Sequence, residues 1–375
     1  MPGGSFRIAL VVERFEPRGG GVEGVAWNVA HGLAAAGDEV WVFARRAEAP
    51  RAAAVRVRGV PAPISWKPIR TLLFSSGCAR ATRTAGCDLV HSFSRTRHQD
   101  VYRAGGGSHA SYMERAYGAA GARLRRLSPR HAVLLGIESR VFADPRQTIQ
   151  CNSLMVRDEL RARHGVPEAR LRVVWNGVDL ERFRPARRAA ERERVRAEIG
   201  APPEVAAWLL VGSEFHRKGL DTALRALAGG GPGDAELWVC GGDREGPWRA
   251  LAERLGVLSR VRFLGARSDV ERLYAAADAL ILPTRYDAFA NVCLEAAASG
   301  LPVLTSGSNG AAAFLGSAGL AVEDPEDAAG FAKALGALAD PALRARLGAA
   351  ARARAEERSW ERHVAELRAL YAQLR

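Results

Sequence analysis

Residues 279–306 read ALILPTRYDAFANVCLEAAASGLPVLTS, and this stretch decides the fold of the chain. The apolar run 279–282 is short and ends at a proline, which is typical of a buried strand in a parallel sheet. After a polar loop, the small residues 290–298 predict a helix that Gly300 ends. Residues 302–305 predict a second strand. The stretch is therefore a β–loop–α–β unit, and its loop lies at the carboxyl end of a strand, where open α/β sheets bind ligands.

Two carboxylates lie eight positions apart in this unit, Asp287 in the loop and Glu295 two turns into the helix. Both can point into one crevice at the carboxyl end of the strand. Because carboxylates accept hydrogen bonds from paired hydroxyl groups, the pair suits a ribose or a hexose. The alternative interpretation is an ordinary β–α–β unit with two solvated acids.

The length and composition predict a cytoplasmic protein of two domains. A chain of 375 residues is too long for one core, and its hydrophobic content of 48% is ample for burial. No apolar run approaches the roughly 18 residues of a membrane span. The N-terminal residues 1–5 lead straight into a predicted strand and do not resemble a signal peptide. The five cysteines are unclustered, which favours structural thiols in a reducing cytoplasm over disulfides or a zinc site.

The positive charge is concentrated in the first half of the chain. The net charge is +13; residues 1–183 hold 28 Arg and Lys against 16 Asp and Glu, whereas residues 184–375 hold 26 against 25. Such asymmetry indicates an anionic partner, which could be nucleic acid, an anionic membrane or a phosphorylated glycolipid. The basic, amphipathic run 123–140 could lie on a bilayer or be an ordinary surface helix. A general arginine bias is the alternative explanation of the charge, since the chain has only three lysines.

Glycine-rich loops follow two predicted strands of the first half. Gly19, Gly20 and Gly21 precede a predicted helix, where glycine lets backbone N–H groups approach an anion closely, although such a loop also serves ordinary tight turns. The second loop, residues 104–110, places His109 behind three glycines. In a flexible loop at a strand end, His109 is a candidate catalytic residue, and a purely structural histidine is the alternative.

The second half alternates strands and helices as a doubly wound domain does. One loop places Gly212 at a strand end, with Arg217 and Lys218 just before a helix. A pyrophosphate needs a closely approaching backbone, a helix dipole and two cations, and this loop supplies all three. Lys218 is one of only three lysines, which favours a specific role for its compact ammonium group. The alternative is a capped basic turn.

Several motifs together resemble the retaining glycosyltransferases of family 4. The spacing from Asp287 to Glu295 before GLPV resembles their E-(x)7-E signature, with Asp in place of the first Glu. The adjacent Arg217 and Lys218 resemble their R-K pair. Within the family, GSEFHRKGLD and NVCLEA look most like the lipopolysaccharide-core glucosyltransferases. The resemblance also takes in the Gly19–Gly21 loop, His109, the NGVD turn at 176–179 and Ser359-Trp360.

The resemblance implies a GT-B fold, an α/β architecture of two Rossmann-like, doubly wound domains that face each other across a cleft. Residues 1–183 would form the domain on the acceptor side, and residues 184–375 the domain that binds the nucleotide sugar. A final helix at about 360–374 would cross back to the first domain.

The resemblance also implies transfer of a hexose, glucose from UDP-glucose, onto a lipid-linked or lipopolysaccharide-core glycan with retention of configuration. Arg217 and Lys218 would stabilise the charge of the leaving diphosphate. Glu295 would bind the ribose hydroxyls and Asp287 the sugar, while His109 would hydrogen-bond the sugar or a phosphate. No metal cofactor is expected, because the paired cations make one unnecessary.

The donor would be bound by residues of both domains. The residues expected to contact it are Gly19, Gly20, Gly21, Gly212, Arg217, Lys218, Arg267, Phe289, Ala290, Asn291, Val292 and Glu295. Among them Arg267 would flank the nucleobase. The alternative for its segment is a helix cap formed by Ser268 or Asp269.

The expected partners are a nucleotide sugar, an anionic glycan or glycolipid acceptor, and the inner face of the cytoplasmic membrane. Two other functions are possible: a sugar-nucleotide epimerase of the same architecture and a basic nucleic-acid-binding protein. The basic first domain and the acidic motif argue against the epimerase. Aromatic residues make up 7% and are scattered, which argues against a nucleic-acid-binding platform, so no nucleic-acid partner is expected.

Overall fold

The computed structural model describes residues 5–17, 21–230 and 233–375, and the chain divides into two compact units. The first unit runs to Gly177 and resumes at Trp360, and the second spans Val178–Ser359. The chain therefore leaves the first unit at Gly177 rather than at the expected boundary of 183. A Cβ atom at Gly177 would lie 2.7 Å from the Trp360 ring. Glycine is therefore needed where the chain leaves this unit, because that residue contacts the residue at which the chain returns.

The first unit is built on a parallel sheet. Its seven described strands lie in the order β3-β2-β1-β4-β5-β6-β7, which is a doubly wound arrangement with its topological switch between β1 and β4. The strands are β1 (Arg7–Phe15), β2 (Glu39–Ala47), β3 (Val55–Gly59), β4 (Leu89–Ser92), β5 (Val101–Arg103), β6 (Thr148–Cys151) and β7 (Leu171–Val173). The helices that precede the second unit are α1 (Gly21–Ala35), α2 (Lys67–Arg83), α3 (His109–Arg125), α4 (Pro129–Ala143) and α5 (Leu154–His164).

The second unit has a sheet of the same kind. Its described strands are parallel and lie in the order β10-β9-β8-β11-β12-β13, with the switch between β8 and β11. The strands are β8 (Ala207–Val211), β9 (Glu236–Cys240), β10 (Val261–Gly265), β11 (Ala279–Leu282), β12 (Val303–Ser306) and β13 (Leu320–Val322). The helices are α6 (Arg187–Glu198), α7 (Leu220–Gly230), α8 (Gly246–Arg254), α9 (Val270–Ala276), α10 (Asn291–Ala298), α11 (Gly310–Leu315), α12 (Ala328–Ala337) and α13 (Pro341–Glu356).

The two strands at this switch point are buried along their whole length, which is why they are continuous apolar runs in the sequence. The loop 212–219 follows β8, and the loop 283–290 follows β11. Since neighbouring parallel strands end at the same edge of a sheet, the topology brings these two loops together.

Helix α6 is dense in charge, and three of its arginines anchor it within the second unit. Arg188, Arg192 and Arg196 repeat every four residues, so they lie on one face, and all three pair with the carboxylate of Asp278 at 2.7–3.0 Å. Asp278 also accepts a hydrogen bond from the backbone N–H of Ala207, at the start of β8. The arginine charges outweigh the effect of burial and lower the pKa of Asp278.

The basic run 123–140 is divided between two helices. α3 ends at Arg125, and α4 begins at Pro129 after an extended Ser128. Proline lacks the N–H that helix interiors require and favours an extended preceding residue, so the chain breaks here. The expected single amphipathic helix is therefore wrong, but Leu124 and Leu127 near the break remain 72% and 80% exposed.

The chain returns to the first unit through α14 (Trp360–Ala372). Val364, Leu367 and Tyr371 join the core between the sheet and α1. A Cβ at Gly32 of α1 would lie 2.6 Å from Val364, so the glycine allows the two helices to approach closely. The Tyr371 hydroxyl lies 2.7 Å from Nδ1 of the fully buried His91, which ties the helix to β4.

The burial of His91 predicts a loss of stability in acid. Burial, together with the charge of Arg103, lowers the pKa of His91 from 6.5 to about 3. Below pH 6.5 the unfolded chain therefore binds a proton that the folded chain does not, and the free energy of unfolding falls by up to about 1.4 kcal/mol per pH unit for this group. Urea unfolding between pH 7 and pH 5 measures the slope. We expect a shallower slope for His91→Gln and an unchanged one for His98→Gln, an exposed histidine; equal slopes in all three proteins would contradict the prediction.

Of the helices in the described part of the chain, none is both long and apolar enough to span a bilayer. The five cysteines are all free thiols.

Candidate functional site

The loop after β8 brings two cations against the end of the strand. Gly212 has a φ of +148°, and a Cβ there would lie 2.8 Å from Cε of Lys218, so glycine lets the lysine side chain lie against the backbone. Gly219, with a φ of +74°, ends the loop and leads directly into α7. A Cβ at Gly219 would lie 1.9 Å from the carbonyl oxygen of Pro283, so this glycine lets the β8 and β11 loops pack closely.

Arg217 and Lys218 converge on Asp287, the first acid of the predicted signature. The Asp287 Oδ2 atom lies 2.8 Å from Lys218 Nζ and 3.1 Å from Arg217 Nη1. Burial by itself would raise the pKa of Asp287, but the charges of Lys218 and Arg217 outweigh it and lower the pKa. The structure thus joins three predicted residues in one ion-pair cluster, in which Asp287 is the counter-ion of both cations.

The backbone of Asp287 is fixed on both sides. Its N–H donates to Ser308 O at 3.1 Å, and its carbonyl accepts from Gly310 N at 2.9 Å. The Arg217 carbonyl accepts from Arg285 N, which ties the β8 loop to the β11 loop. This cluster is therefore preorganised by main-chain contacts rather than held by side chains alone.

Arg285 is a positioning residue that the sequence analysis did not single out. Its guanidinium forms two bonds to Asp221 at 2.8 and 2.9 Å, bonds the His216 carbonyl and also pairs with Glu326. Asp221 lies in the first turn of α7, so Arg285 locks both loops to the start of that helix. An arginine in a loop carries no pattern that separates this role from an exposed charge, because Asp221 is far away in the sequence.

Glu295 lies on α10 and meets a tyrosine. The Tyr274 hydroxyl, from α9, donates to Glu295 Oε2 at 3.0 Å. Burial raises the pKa of Glu295, while the Tyr274 bond and the charges of Arg182 and Lys218 act in the opposite direction. Lys218 therefore acts electrostatically on both acids of the signature. Tyr274 was not predicted, since an aromatic in an alanine-rich helix is usually a core residue.

Four predicted residues lie at the start of α10. Phe289 and Ala290 are buried, whereas Asn291 and Val292 are partly exposed at the first positions of the helix. The first N–H groups of a helix have no partner within it, so this end can face an anion or a polar ring. Asn309 holds the segment, because its Oδ1 accepts from Ala290 N and also caps α11; its role was not predicted.

Arg267 is held by two carboxylates. Its guanidinium bonds Asp269 at 2.7 and 2.9 Å and Glu198 at 2.9 Å. Asp269 precedes α9 but makes no side-chain cap, because it is bound to Arg267 and Arg272 instead. The Arg267 bond, with lesser help from Arg272, lowers the pKa of Asp269 to about 2. A cap formed by Asp269 was therefore the wrong alternative.

His109 does not lie in a flexible loop. It is the first residue of α3, whose N-terminus Ser108 caps, and its own backbone N–H donates to Glu138 at 2.6 Å. Its Nε2 lies 2.8 Å from Nδ1 of His131. Burial, aided by the charge of Arg95, lowers the pKa of His109 to about 3, so the imidazole is neutral at physiological pH. It can exchange hydrogen bonds there, but it cannot carry a positive charge.

Of the three predicted glycines, Gly19 and Gly20 lie outside the described residues, and Gly21 is the first residue of α1. In the described ranges, no group of three or more His, Cys, Asp or Glu side chains is arranged to hold a metal ion.

The first unit contains a basic cavity that the sequence analysis missed. It has a volume of about 460 Å³ and lies at the carboxyl ends of β1, β4 and β5, where the topology of this unit switches. Its lining in the described residues includes the cations Arg14, Lys67, Arg70, Arg95, Arg103 and Arg130 and the acids Glu13 and Glu23. These residues come from six separate segments, so their proximity has no signature in the sequence.

Two family models match the chain. The model described as "Glycosyltransferase Family 4" matches residues 19–182, and the model described as "Glycosyl transferases group 1" matches residues 207–340. A "Probable transglycosylase" of Burkholderia thailandensis is 31% identical over 362 residues, which are 95% of this chain and 94% of that protein. The lipopolysaccharide glucosyltransferase WaaG of Escherichia coli is 29% identical over 325 residues, 85% of each chain.

Solved structures share the fold. A crystal structure of WaaG superposes with a TM-score of 0.83 at 26% identity, over 97% of this chain and 99% of that chain. HepE of Anabaena, crystallised in complex with UDP and glucose, superposes with a TM-score of 0.75 at 17% identity, over 98% of this chain and 100% of that chain. The predicted α/β fold with two Rossmann-like sheets of the GT-B type is confirmed.

Proposed function

The chain belongs to glycosyltransferase family 4, and from this we propose that it transfers glucose from UDP-glucose, with retention, to an anionic lipid-linked glycan such as a lipopolysaccharide core. That the protein is a nucleotide-sugar-dependent glycosyltransferase follows from the family itself. Glucose is favoured because the relative WaaG is a glucosyltransferase, and UDP because HepE, of the same fold, binds UDP and glucose.

The observation that carries the proposal is the cluster of Arg217, Lys218 and Asp287 at the switch point of the second unit. Negative charge develops on the diphosphate as the bond to the sugar breaks. Two preorganised cations beside the N-terminus of α7 stabilise that charge more than they stabilise the bound substrate, which is how electrostatic catalysis works. Arg217 and Lys218 already supply the positive charge that a divalent metal would otherwise bring. We therefore expect transfer to need no metal and to continue in the presence of EDTA.

The remaining predicted residues have distinct roles in this scheme. Asp287 hydrogen-bonds the sugar hydroxyls while its charge is shared with the two cations. Glu295 accepts hydrogen bonds from the ribose hydroxyls, and Arg267, held rigid by its carboxylate partners, flanks the nucleobase. The neutral His109 hydrogen-bonds the sugar or a phosphate, and Gly212 lets the backbone approach the donor.

Incubation with radiolabelled UDP-glucose and other sugar nucleotides tests the reaction. We expect UDP to be released from UDP-glucose, and the release to be faster when a phosphorylated lipopolysaccharide core is added. The product should be a labelled glycan, and NMR should show that its anomeric configuration is that of the donor. Epimerised donor without UDP release would instead identify an epimerase. A lack of turnover combined with tight RNA or DNA binding would identify a nucleic-acid-binding protein.

Glu295→Gln is expected to weaken UDP binding by about 1.5–3 kcal/mol, roughly 10- to 150-fold in Kd, because a charged acceptor of the ribose hydroxyls is lost. The fold should be kept, since the glutamine carbonyl still accepts from Tyr274. Calorimetry measures the affinity, and thermal unfolding checks the fold. Glu253→Gln, an exposed acid on α8, is the matched control and should bind UDP normally. Equal affinity of both variants would show that Glu295 does not contact the nucleotide.

The charge distribution supports an anionic acceptor at a membrane surface. The first unit holds 30 Arg and Lys against 16 Asp and Glu, a net charge of +14, whereas the second holds 24 against 25, a net charge of −1. Exposed apolar side chains accompany these charges, including Trp66 before α2, Leu124 in the last turn of α3 and Leu127 just after that helix. Each cation near an anionic surface contributes about 1 kcal/mol, so several together hold a protein reversibly at the inner face of the cytoplasmic membrane.

Liposome flotation tests this membrane association. We expect binding to vesicles that contain anionic phospholipid, with binding reduced by salt because of charge screening. Replacing Arg123, Arg125 and Arg126 by glutamine should weaken it several-fold. The matched control replaces Arg225, Arg254 and Arg346 of the second unit, which are also exposed, and should bind as the unmodified protein does. Equal binding to neutral vesicles, or none to anionic vesicles at low salt, would favour a soluble acceptor.

A further inference from the structure

A buried arginine stands out in the basic cavity of the first unit. Arg103, the last residue of β5, is only 3% exposed, yet none of the ion pairs among the described residues joins it to a carboxylate. Its Nη2 donates to the side-chain amide oxygen of Asn176 at 2.8 Å, and its guanidinium lies over the Phe93 ring. Its Nε atom is buried and makes no hydrogen bond. A buried charge without a partner of opposite charge costs free energy, and a bound anion would offset that cost.

The backbone around Arg103 is shaped for this side chain. A Cβ at Gly105 would lie 1.8 Å from Nη1 of Arg103, so any other residue at this position would displace the guanidinium. Burial lowers the pKa of Arg103 to about 10, which leaves the side chain charged at physiological pH. The glycine therefore keeps a full positive charge in one position at the cavity wall.

The rest of the cavity wall adds charge of the same sign. Among its described lining residues, six are cations and two are acids, so the wall has a net charge of +4. Glu13 already pairs with both Arg45 and Arg70, and Lys67 and Arg130 are exposed at the wall. The cavity thus combines a buried guanidinium with more exposed cations, in a volume of about 460 Å³ that is sufficient for a phosphorylated sugar.

We propose that this cavity is a phosphate-binding subsite for the acceptor, in which Arg103 and the surrounding cations bind a phosphate group carried by the acceptor glycan. A phosphate monoester carries a charge of about −1.5 to −2, which a single cation does not neutralise but this wall does. Five of the six cations are arginines, whose planar forks match phosphate oxygens in pairs. The inference rests on the proposed transfer to an anionic glycan, but phosphate binding can be measured without any transfer.

The test titrates the full-length protein with glucose 6-phosphate by calorimetry, in the presence of saturating UDP so that the diphosphate site of the second unit is filled. Glucose at the same concentration and inorganic phosphate are the comparison probes, and vesicles with anionic phospholipid form a separate arm. We expect glucose 6-phosphate and inorganic phosphate to bind and glucose not to bind. Preference for the vesicles over both soluble phosphates would assign the cations to a lipid headgroup and overturn the glycan assignment.

Variants locate the binding. Arg103→Gln is expected to weaken glucose 6-phosphate binding at least tenfold, and Gly105→Ala should do so by displacing the same guanidinium. Lys67→Gln and Arg130→Gln lie at exposed positions that do not endanger the fold, and each should weaken binding a few-fold. Arg146→Gln removes an exposed arginine of the same unit outside the cavity and should bind normally. All variants should keep the UDP affinity of the unmodified protein.

Three further results would overturn the proposal. Unchanged binding in Arg103→Gln, Lys67→Gln and Arg130→Gln would show that the cavity does not hold the phosphate, and an equal loss in Arg146→Gln would show nonspecific attraction. Loss of UDP affinity in Arg103→Gln would mean that the cavity belongs to the donor site. Failure of the protein to use UDP-glucose, with phosphate binding retained and sensitive to Arg103, would refute the proposed transfer while leaving the phosphate site in place.

Discussion

Lys218→Ala is expected to lower kcat/KM for glucosyl transfer by about 10²- to 10³-fold, as the loss of one preorganised donor to a developing negative charge does in other enzymes. The reason lies in the position of Lys218, whose ammonium is almost fully buried, fixed by Gly212 and directed at the Asp287 carboxylate 2.8 Å away. Affinity for UDP should fall by about 1.5–3 kcal/mol. Arg217→Ala should act in the same direction, because both cations converge on the same oxygen atom.

Calorimetry with UDP and steady-state kinetics with UDP-glucose measure the two effects. Lys333→Ala is the matched control, because Lys333 is an exposed lysine of the same unit on α12. Lys218→Arg keeps the charge but not the compact shape, so it should recover binding better than turnover. If Lys218→Ala and Arg217→Ala both bound UDP as the unmodified protein does, the diphosphate would have to lie elsewhere.

The elements with strong local patterns were predicted from the sequence. Strands β8 and β11 are buried continuous apolar runs that end at glycine or proline, so their positions and the loops after them were predicted. The final helix was predicted from its amphipathic pattern, and in the structure it belongs to the first unit. By contrast, the three-residue strand β13 and the short helices α8 and α11 were not predicted, because elements of this length carry too little periodicity.

The contacts that make the site were not available from the sequence. Lys218 and Asp287 are 69 positions apart, and only the order of strands β8 and β11 in the sheet makes them an ion pair. The sequence pattern gave both residues a ligand-binding role but did not predict that they bind each other. The same holds for Arg103. A single arginine at the end of a short strand cannot be told from a surface cation in the sequence, and only the folded sheet and Gly105 show that it is buried. His109 was placed in a loop because its glycines are conspicuous, whereas the capping by Ser108 that starts α3 was not recognised.

Replacement of Asp287 is expected to give the second large effect. It distinguishes binding of the sugar by Asp287 from binding of the diphosphate by Arg217 and Lys218. Asp287→Ala removes the shared counter-ion of Arg217 and Lys218. The buried Lys218 then has no carboxylate partner, whereas Arg217 still pairs with Glu214, and the change should destabilise the second unit by about 3 kcal/mol. Sugar transfer should fall about 10²-fold or more, because the sugar loses its carboxylate acceptor. UDP affinity should be kept or should rise, since the diphosphate no longer competes with a carboxylate for the same cations.

Loss of the counter-ion with UDP affinity kept predicts that UDP stabilises this variant more than it stabilises the unmodified protein. UDP supplies the charge that the variant lacks, so it should raise the unfolding temperature of Asp287→Ala by more than it raises that of the unmodified protein. Asp287→Glu, which matches the more common form of the signature, should retain transfer, and Asp234→Ala, an exposed acid of the same unit, should change neither property. Differential scanning fluorimetry with and without UDP, combined with UDP-glucose kinetics, measures both responses. If Asp287→Ala lost UDP binding as completely as it lost transfer, Asp287 would act by positioning the cations for the diphosphate, and its assignment to the sugar would be wrong.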